Sequence, residues 1–413
     1  MTVATEIHAD LVTPLGAYLR LRAAGTASFL LESVDNGRLG RYSLVGSGTR
    51  LVSFDEAEAE VAAGRPVVGY LGYDHVATLE PTVPLPADGP DLPESRFVIA
   101  DRLVRFDHTT SVAEVLAGDR DEIARTLDAP APPDVSGRKP AGHGRTRRVP
   151  ERRVYEAGVR RIQELIRAGD AFQVVLSQRA ERPTPAFAVE FYRALRRINP
   201  SPYLFLLELD GVALVGSSPE TVVKLEGMRA SLNPIAGTTE PGEGDGERLL
   251  ASEKDRAEHI MLVDLGRNDL SRVCRPGTVR IETFLRPERY SHVTHLVSEV
   301  AGELEPGRTG FDLLRACFPA GTVSGAPKVR AMQIVSELEG YRRGPYAGAV
   351  GYALPDGSLD TCIAIRTIVL DDGVALLQAG AGIVIDSDPA AEHEECLRKL
   401  AALEAAIEEA ERA

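Results

Sequence analysis

The chain has 413 residues, 44% of them hydrophobic and 26% charged, with a formal net charge of −14. That acidity argues against a nucleic-acid or anionic-membrane surface, and apolar runs such as Ile363-Ala364-Ile365 and Val374-Ala375-Leu376-Leu377 are far too short to span a bilayer. The start, Met1-Thr2-Val3-Ala4-Thr5-Glu6, lacks the basic and apolar blocks of a signal peptide, so a cytoplasmic location is expected.

Residues 10–110 read as α+β. A short helix over Pro14–Ala23 precedes strand-like pieces at Ser28–Leu31, Tyr42–Val45 and Val67–Tyr70. Residues 129–150, rich in proline, glycine and arginine, read as a solvated basic linker. It separates an N-terminal region, 1–128, from a C-terminal region, 151–413; one large intertwined sheet fold is equally allowed by the length. A helix is expected from Val154 to Ala168, then strands at Phe172–Leu176, Tyr203–Leu207, Val212–Val215, Val222–Leu225, Ala347–Tyr352, Ile363–Val369 and Val374–Gln378. Long helices are expected over 247–265, 308–317, 326–338 and 389–410. Many strands with few βαβ alternations predict a largely antiparallel α+β architecture. Cys274, Cys317, Cys362 and Cys396 lie far apart without a C-x-x-C pair, and are expected to be buried thiols.

Two predicted helices carry carboxylates three residues apart, Asp255 with Glu258 and Glu392 with Glu395. The spacing places each pair on one helical face. Four convergent carboxylates repel one another unless a hard cation lies between them, and oxygen-only ligation suits Mg²⁺. Two solvated acidic faces are the plainer alternative. Gln378-Ala379-Gly380-Ala381-Gly382 places glycines where backbone amides can approach an anion, or simply makes a tight turn. The stretch Ala320–Lys328 lacks the Gly-Lys-Ser/Thr ending of a P-loop, yet offers amides and the Thr322 hydroxyl at a turn before a helix. Arg366 interrupts an apolar strand and needs a partner, either a substrate carboxylate or a structural ion pair. There is no G-x-S-x-G elbow, no H-E-x-x-H helix, and no cysteine elbow for hydrolysing glutamine.

Ordered blocks run through the chain: Gly169–Gln178, Gly216-Ser217-Ser218-Pro219-Glu220, Pro234-Ile235-Ala236-Gly237-Thr238, Ala257–Asp269, Arg289–His295, and the Thr322 and Gly380 loops. Together they resemble the chorismate-converting enzymes (anthranilate, aminodeoxychorismate, isochorismate and salicylate synthases). The resemblance implies an α+β sandwich of two large, mainly antiparallel sheets flanked by helices. Gln173 stands where water-adding members carry a lysine base, and Ala236 where aminodeoxychorismate synthases often carry a lysine nucleophile. Both positions resemble the aminating subunit of anthranilate synthases.

The resemblance assigns Glu258 and Glu395 to Mg²⁺, supported by Asp255 and Glu392. Glu220 becomes the general acid for the C4 hydroxyl, and His295 assists pyruvate loss. Gln173 lies where ammonia enters. Gly237, Thr238, Thr322, Tyr346, Arg366, Gly380, Ala381, Gly382 and Lys399 hold the carboxylates and enolpyruvyl group of chorismate. His292 is assigned to structure. Glu32 and Ser33, in Leu30-Leu31-Glu32-Ser33, resemble a tryptophan-feedback motif, with Pro202, Tyr203, Leu204 and Tyr352 as further walls; Leu204 replaces the methionine often found there. Ammonia is expected from a separate glutamine amidotransferase subunit, making a hetero-oligomer. The nearest rivals are an enzyme that stops at aminodeoxyisochorismate, an aminodeoxychorismate synthase, and a silent tryptophan-binding partner of a glutaminase.

Overall fold

The computed structural model describes residues 5–22, 25–35, 38–130, 144–239, 241–289 and 294–412. The middle of the expected linker and the stretch holding His292 lie outside these residues. Among the described residues, two antiparallel sheets form, one of twelve strands and one of ten. They pack face to face. Phe29, Phe205 and Leu214 from the larger sheet meet Val68, Tyr70 and Val350 from the smaller in one core.

Helices cover both outer faces. Pro14–Leu21, Ala188–Ile198 and the C-terminal part of Pro389–Arg412 pack on the larger sheet. Phe54–Ala62, Glu253–Ser271 and Gly310–Cys317 pack on the smaller. Central strands are therefore buried on both faces. That is why Val212–Ser218 is buried throughout, with no polar alternation except at the serines near its end. Strand alternation then decides which core each side chain joins: Leu30 faces the helices and Leu31 the other sheet.

Both sheets draw on both ends of the chain. Ala27–Asp35 pairs with Tyr203–Leu209 in the larger sheet, and Val67–Leu71 with Ala349–Ala353 in the smaller. The strands of the N-terminal region are thus integral to sheets built mostly from the C-terminal region. The end of the expected linker is also ordered. Arg147–Val149 is a strand on Arg179–Glu181, and Arg148 pairs with Glu404 at 2.6 Å.

Two expected elements are each divided. The stretch Ile363–Val369 is not one strand: Leu359–Ile363 belongs to the smaller sheet and Thr367–Asp371 to the larger. Arg366 breaks it with a φ of +49°, in the left-handed region that bulky residues rarely adopt. The helix expected over 247–265 is two helices, Asp245–Ala251 and Glu253–Ser271. Ser252 separates them because its hydroxyl accepts the Asp255 N–H at 3.2 Å, an N-cap that starts a new helix. The four cysteines are buried thiols, as expected.

If the sheets depend on both regions, residues 151–413 expressed alone should be insoluble or expanded, binding a hydrophobic dye. Tyr203–Leu209 and Ala349–Ala353 would then be open edges. Co-expression with residues 1–150 should restore a compact species in gel filtration. A monomeric fragment with a sharp thermal transition would contradict this dependence.

Candidate active site

The chain crosses between the sheets at two adjacent places. Glu220 lies where it passes from Val212–Ser218 in the larger sheet to Thr221–Glu226 in the smaller; Arg366 lies where it returns. The crossings are stitched together. The Ile363 N–H donates to the Glu220 carbonyl at 2.9 Å, and the Ser217 N–H to the Arg366 carbonyl at 3.1 Å. The Glu220 carboxyl is buried and accepts the Thr322 hydroxyl at 2.8 Å. Burial pushes its pKa up to about 8, against the opposing pull of the Thr322 hydroxyl and of the Arg366 and Lys399 charges. At neutral pH this carboxyl is mostly protonated.

His295 lies in Thr294–Glu303, opposite Thr238 of Ile235–Thr239. The ladder shifts register between Ala236 and Thr238, with Gly237 between them at a φ of +73°. Only glycine adopts that backbone readily. The Gly237 carbonyl accepts from His295 Nδ1 at 3.0 Å, so Nδ1 carries the proton and Nε2 the lone pair. Burial lowers the His295 pKa, with the Arg366 charge acting in the same direction.

The strand Val374–Ile383 forms a third wall. Its pairing with Thr367–Asp371 ends at Leu377, so Gln378–Gly382 is laddered only to Gln173–Pro183 among the described residues. Gly382 lies opposite Val175, and a Cβ there would fall 2.2 Å from Gln173 Nε2. Glycine thus makes room for Gln173, which donates to Glu258 Oε1 at 3.0 Å. A Cβ on Gly380 would fall 2.9 Å from the Tyr346 hydroxyl. Lys399 donates to the Gly380 carbonyl at 2.7 Å and pairs with Glu395 at 2.8 Å.

The four carboxylates on the two helices are all half-buried. Burial raises the Glu258 pKa, and the charges of Asp255 and Glu395 raise it further. Burial likewise raises Glu392, reinforced by Glu395 and opposed by Ser387, Lys254 and Lys399. The four thus form one electrostatic unit. They do not form a tight ligand cage: no group of three His, Cys, Asp or Glu residues among the described residues is close enough to hold a metal. Glu258 is held by Gln173 and Glu395 by Lys399 instead. Half-buried oxygen donors that repel one another nevertheless fit the chemistry of a hard divalent cation. Lys254 is not among the residues singled out by sequence motifs, although its position four before Glu258 on one helix was a usable signal.

The residues expected to bind tryptophan do not form one cluster. Glu32 and Leu204 face the helical layer, where Tyr192 donates to Glu32 and Arg196 lies 3.6 Å from it. Tyr203 and Tyr352 face the core between the sheets, and Tyr203 contacts Thr221 at 2.7 Å and Asp360 at 3.1 Å. Ser33 and Pro202 are half-buried nearby in sequence.

A family model described as chorismate binding enzyme matches residues 11–405, and the chain belongs to that family. It is 46% identical to anthranilate synthase component 1 of Streptomyces coelicolor, covering 99% of this chain and 89% of that protein. It is 42% identical to the component 1 of Thermus thermophilus, covering 98% and 97%. The crystal structure of anthranilate synthase component I from Streptococcus pneumoniae superposes with a TM-score of 0.78 at 33% identity, covering 96% of this chain and 98% of that one. The menaquinone-specific isochorismate synthase of Escherichia coli shares the fold, with a TM-score of 0.76 at 21% identity over 97% and 94%.

Because the Thr322 hydroxyl favours the charged form of Glu220, Thr322→Val should raise the Glu220 pKa further. Titration of the carboxyl infrared band in a Glu220-difference spectrum would read the shift. An unchanged or lowered pKa would refute the assigned hydrogen bond.

Proposed function

We propose that this enzyme adds ammonia to C2 of chorismate and expels water and then pyruvate, giving anthranilate. The observation that carries this reading is that a buried carboxyl, Glu220, and a buried imidazole, His295, both lie within reach of the Arg366 charge. Full-length relatedness to proteins named anthranilate synthase component 1 supports the same product.

In this reading Glu220 gives its proton to the C4 oxygen as it leaves. Arg366, beside it, holds the enolpyruvyl carboxylate with the Tyr346 hydroxyl, and the open edge at Gly380, Ala381 and Gly382 receives the ring carboxylate. Gln173 is neutral and cannot act as a base towards water; ammonia, already a nucleophile, needs none. His295 Nε2 then takes the C2 proton as the enolpyruvyl C–O bond breaks and the ring becomes aromatic. Glu258 and Glu395, with Asp255 and Glu392, would hold Mg²⁺, which supplies a Lewis acid for the ring carboxylate. The backbone of Thr238 lies opposite His295 in the ladder.

Pure protein given chorismate, Mg²⁺ and ammonium should produce anthranilate fluorescence with one pyruvate released per turnover. A non-fluorescent amino product without pyruvate would show that the reaction stops at the aminated intermediate. Since the working form of Glu220 is protonated, kcat/KM for chorismate should fall as pH rises through about 8. Glu220→Gln should lower kcat by about 10²–10⁴-fold and remove that alkaline limb. Glu395→Gln should abolish both turnover and calorimetric Mg²⁺ binding.

We further infer that ammonia is delivered by a separate glutamine amidotransferase, since the sequence lacks a cysteine elbow and the relatives are named as one component of an enzyme. Tryptophan is proposed as a feedback ligand near Glu32. There, one buried carboxylate oxygen, Oε1, has no hydrogen-bond partner among the described residues and suits an ammonium group. Tryptophan should inhibit the native enzyme, and Ser33→Leu should move the inhibition curve to higher concentrations. Full activity of the native enzyme in millimolar tryptophan would remove the proposal.

A further inference from the structure

Beneath the cleft lies an ion pair that the proposed chemistry does not use. Glu339 ends the helix Lys328–Glu339, and Arg343 follows four residues later. Both side chains are only 1% exposed. Arg343 grips the carboxylate with two donors, Nε to Oε2 at 2.9 Å and Nη2 to Oε1 at 2.7 Å. Its remaining donors leave the pair. Nη1 donates to the Val323 carbonyl at 2.7 Å, and Nη2 also donates to the Val175 carbonyl at 2.8 Å. The guanidinium carbon lies 4.6 Å from the ring centre of Tyr73 and 5.5 Å from that of Tyr346.

Three of these contacts end at or beside a residue of the site. Val323 follows Thr322, and Val175 is two residues from Gln173. Tyr346 belongs to the site itself. Glu339 extends the connection: its Oε1 accepts the Ser177 N–H at 2.8 Å and the Ser177 hydroxyl at 2.6 Å. Ser177 lies opposite Gly380, and its hydroxyl accepts from Gln378 at 2.8 Å. Asp74, from the N-terminal region, fixes the Arg343 and Gly344 amides at 3.1 Å each.

A fully buried ion pair is a poor device for stability, because desolvating both charges offsets most of their attraction. What a planar, five-donor guanidinium provides is geometry. Here it connects three segments that no single ladder holds together: the 3-10 turn Gly321–Val323, the start of Gln173–Pro183, and the loop carrying Tyr346. We propose that Arg343, locked by Glu339, is a positioning residue for the reaction. It sets Thr322, Gln173 and Tyr346 in register around the substrate without touching it. The proposal rests on the chorismate-aminating reading.

The test compares native protein with Glu339→Gln/Arg343→Met, which removes both charges and keeps the volume, and with Arg343→Lys, which keeps the charge opposite Glu339 but cannot reach both carbonyls. Melting temperature, kcat and KM for chorismate are measured per folded molecule. The double variant should melt close to the native protein while kcat falls by about 10²-fold, the loss expected from a misplacement near 1 Å. Arg343→Lys should fall between the two. A double variant with native melting, kcat and KM would overturn the proposal, making the pair structural only. If the double variant does not fold, Arg343→Lys decides: native kcat and KM overturn the proposal, and a tenfold or greater loss in a folded protein supports it. Failure of the native protein to aminate chorismate would instead overturn the underlying reading, and the positioning role with it.

Discussion

The site depends on one constraint of chain path: two passages between the sheets run side by side and are hydrogen-bonded to each other. One places a carboxyl, Glu220, and the other a guanidinium, Arg366, in the gap where neither sheet continues. A sandwich ordinarily fills the space between its sheets with apolar side chains. Here these two crossings bring a carboxyl and a guanidinium into that layer, and each has its backbone satisfied by the other. The left-handed backbone at Arg366 is the local cost of turning out of one sheet and into the next within four residues.

Around this gap the charges are balanced by separation. The Glu220 carboxyl is buried against Thr322. The carboxylates suited to a cation lie on two helices at the mouth, half-exposed and mutually repelling. Lys399 connects the two zones by holding Glu395 and the Gly380 carbonyl together. The net charge of −14 is therefore a poor guide to the cleft itself. Arg366, Lys399 and Lys254 place positive charge near the Glu220 and Glu258 carboxyls inside an acidic protein.

Sequence patterning captured the elements with a clear pattern: the near-continuous apolar runs Tyr203–Leu209 and Val212–Ser218, and the last helix. The family was legible through ordered motifs rather than periodicity. Ile363–Val369 looks continuous because its residues are apolar throughout, and nothing in their hydrophobicity marks a change of sheet; the charge at Arg366 was the only local sign. The capping role of Ser252 was legible in principle, since a serine three before Asp255 is an N-terminal signal. The Arg343 network was not. Its partners come from five separated segments, and a side chain donating to backbone carbonyls leaves no pattern in the residues that accept. The expected tryptophan wall divided because motif proximity in sequence does not fix which face of a strand a side chain takes. Neighbours Tyr203 and Leu204 must point to opposite sides.

The buried state of Glu220 has a consequence for proton accounting in the fold as a whole. An ordinary glutamate in the unfolded chain releases its proton near pH 4.5, whereas this one retains it until about pH 8. Between those values the native protein carries one more proton at this position than its unfolded chain does. Linkage then requires this position to contribute a loss of stability with each step towards alkali across that interval, levelling off above it. This buried carboxyl is therefore a place where alkalinity favours the unfolded chain.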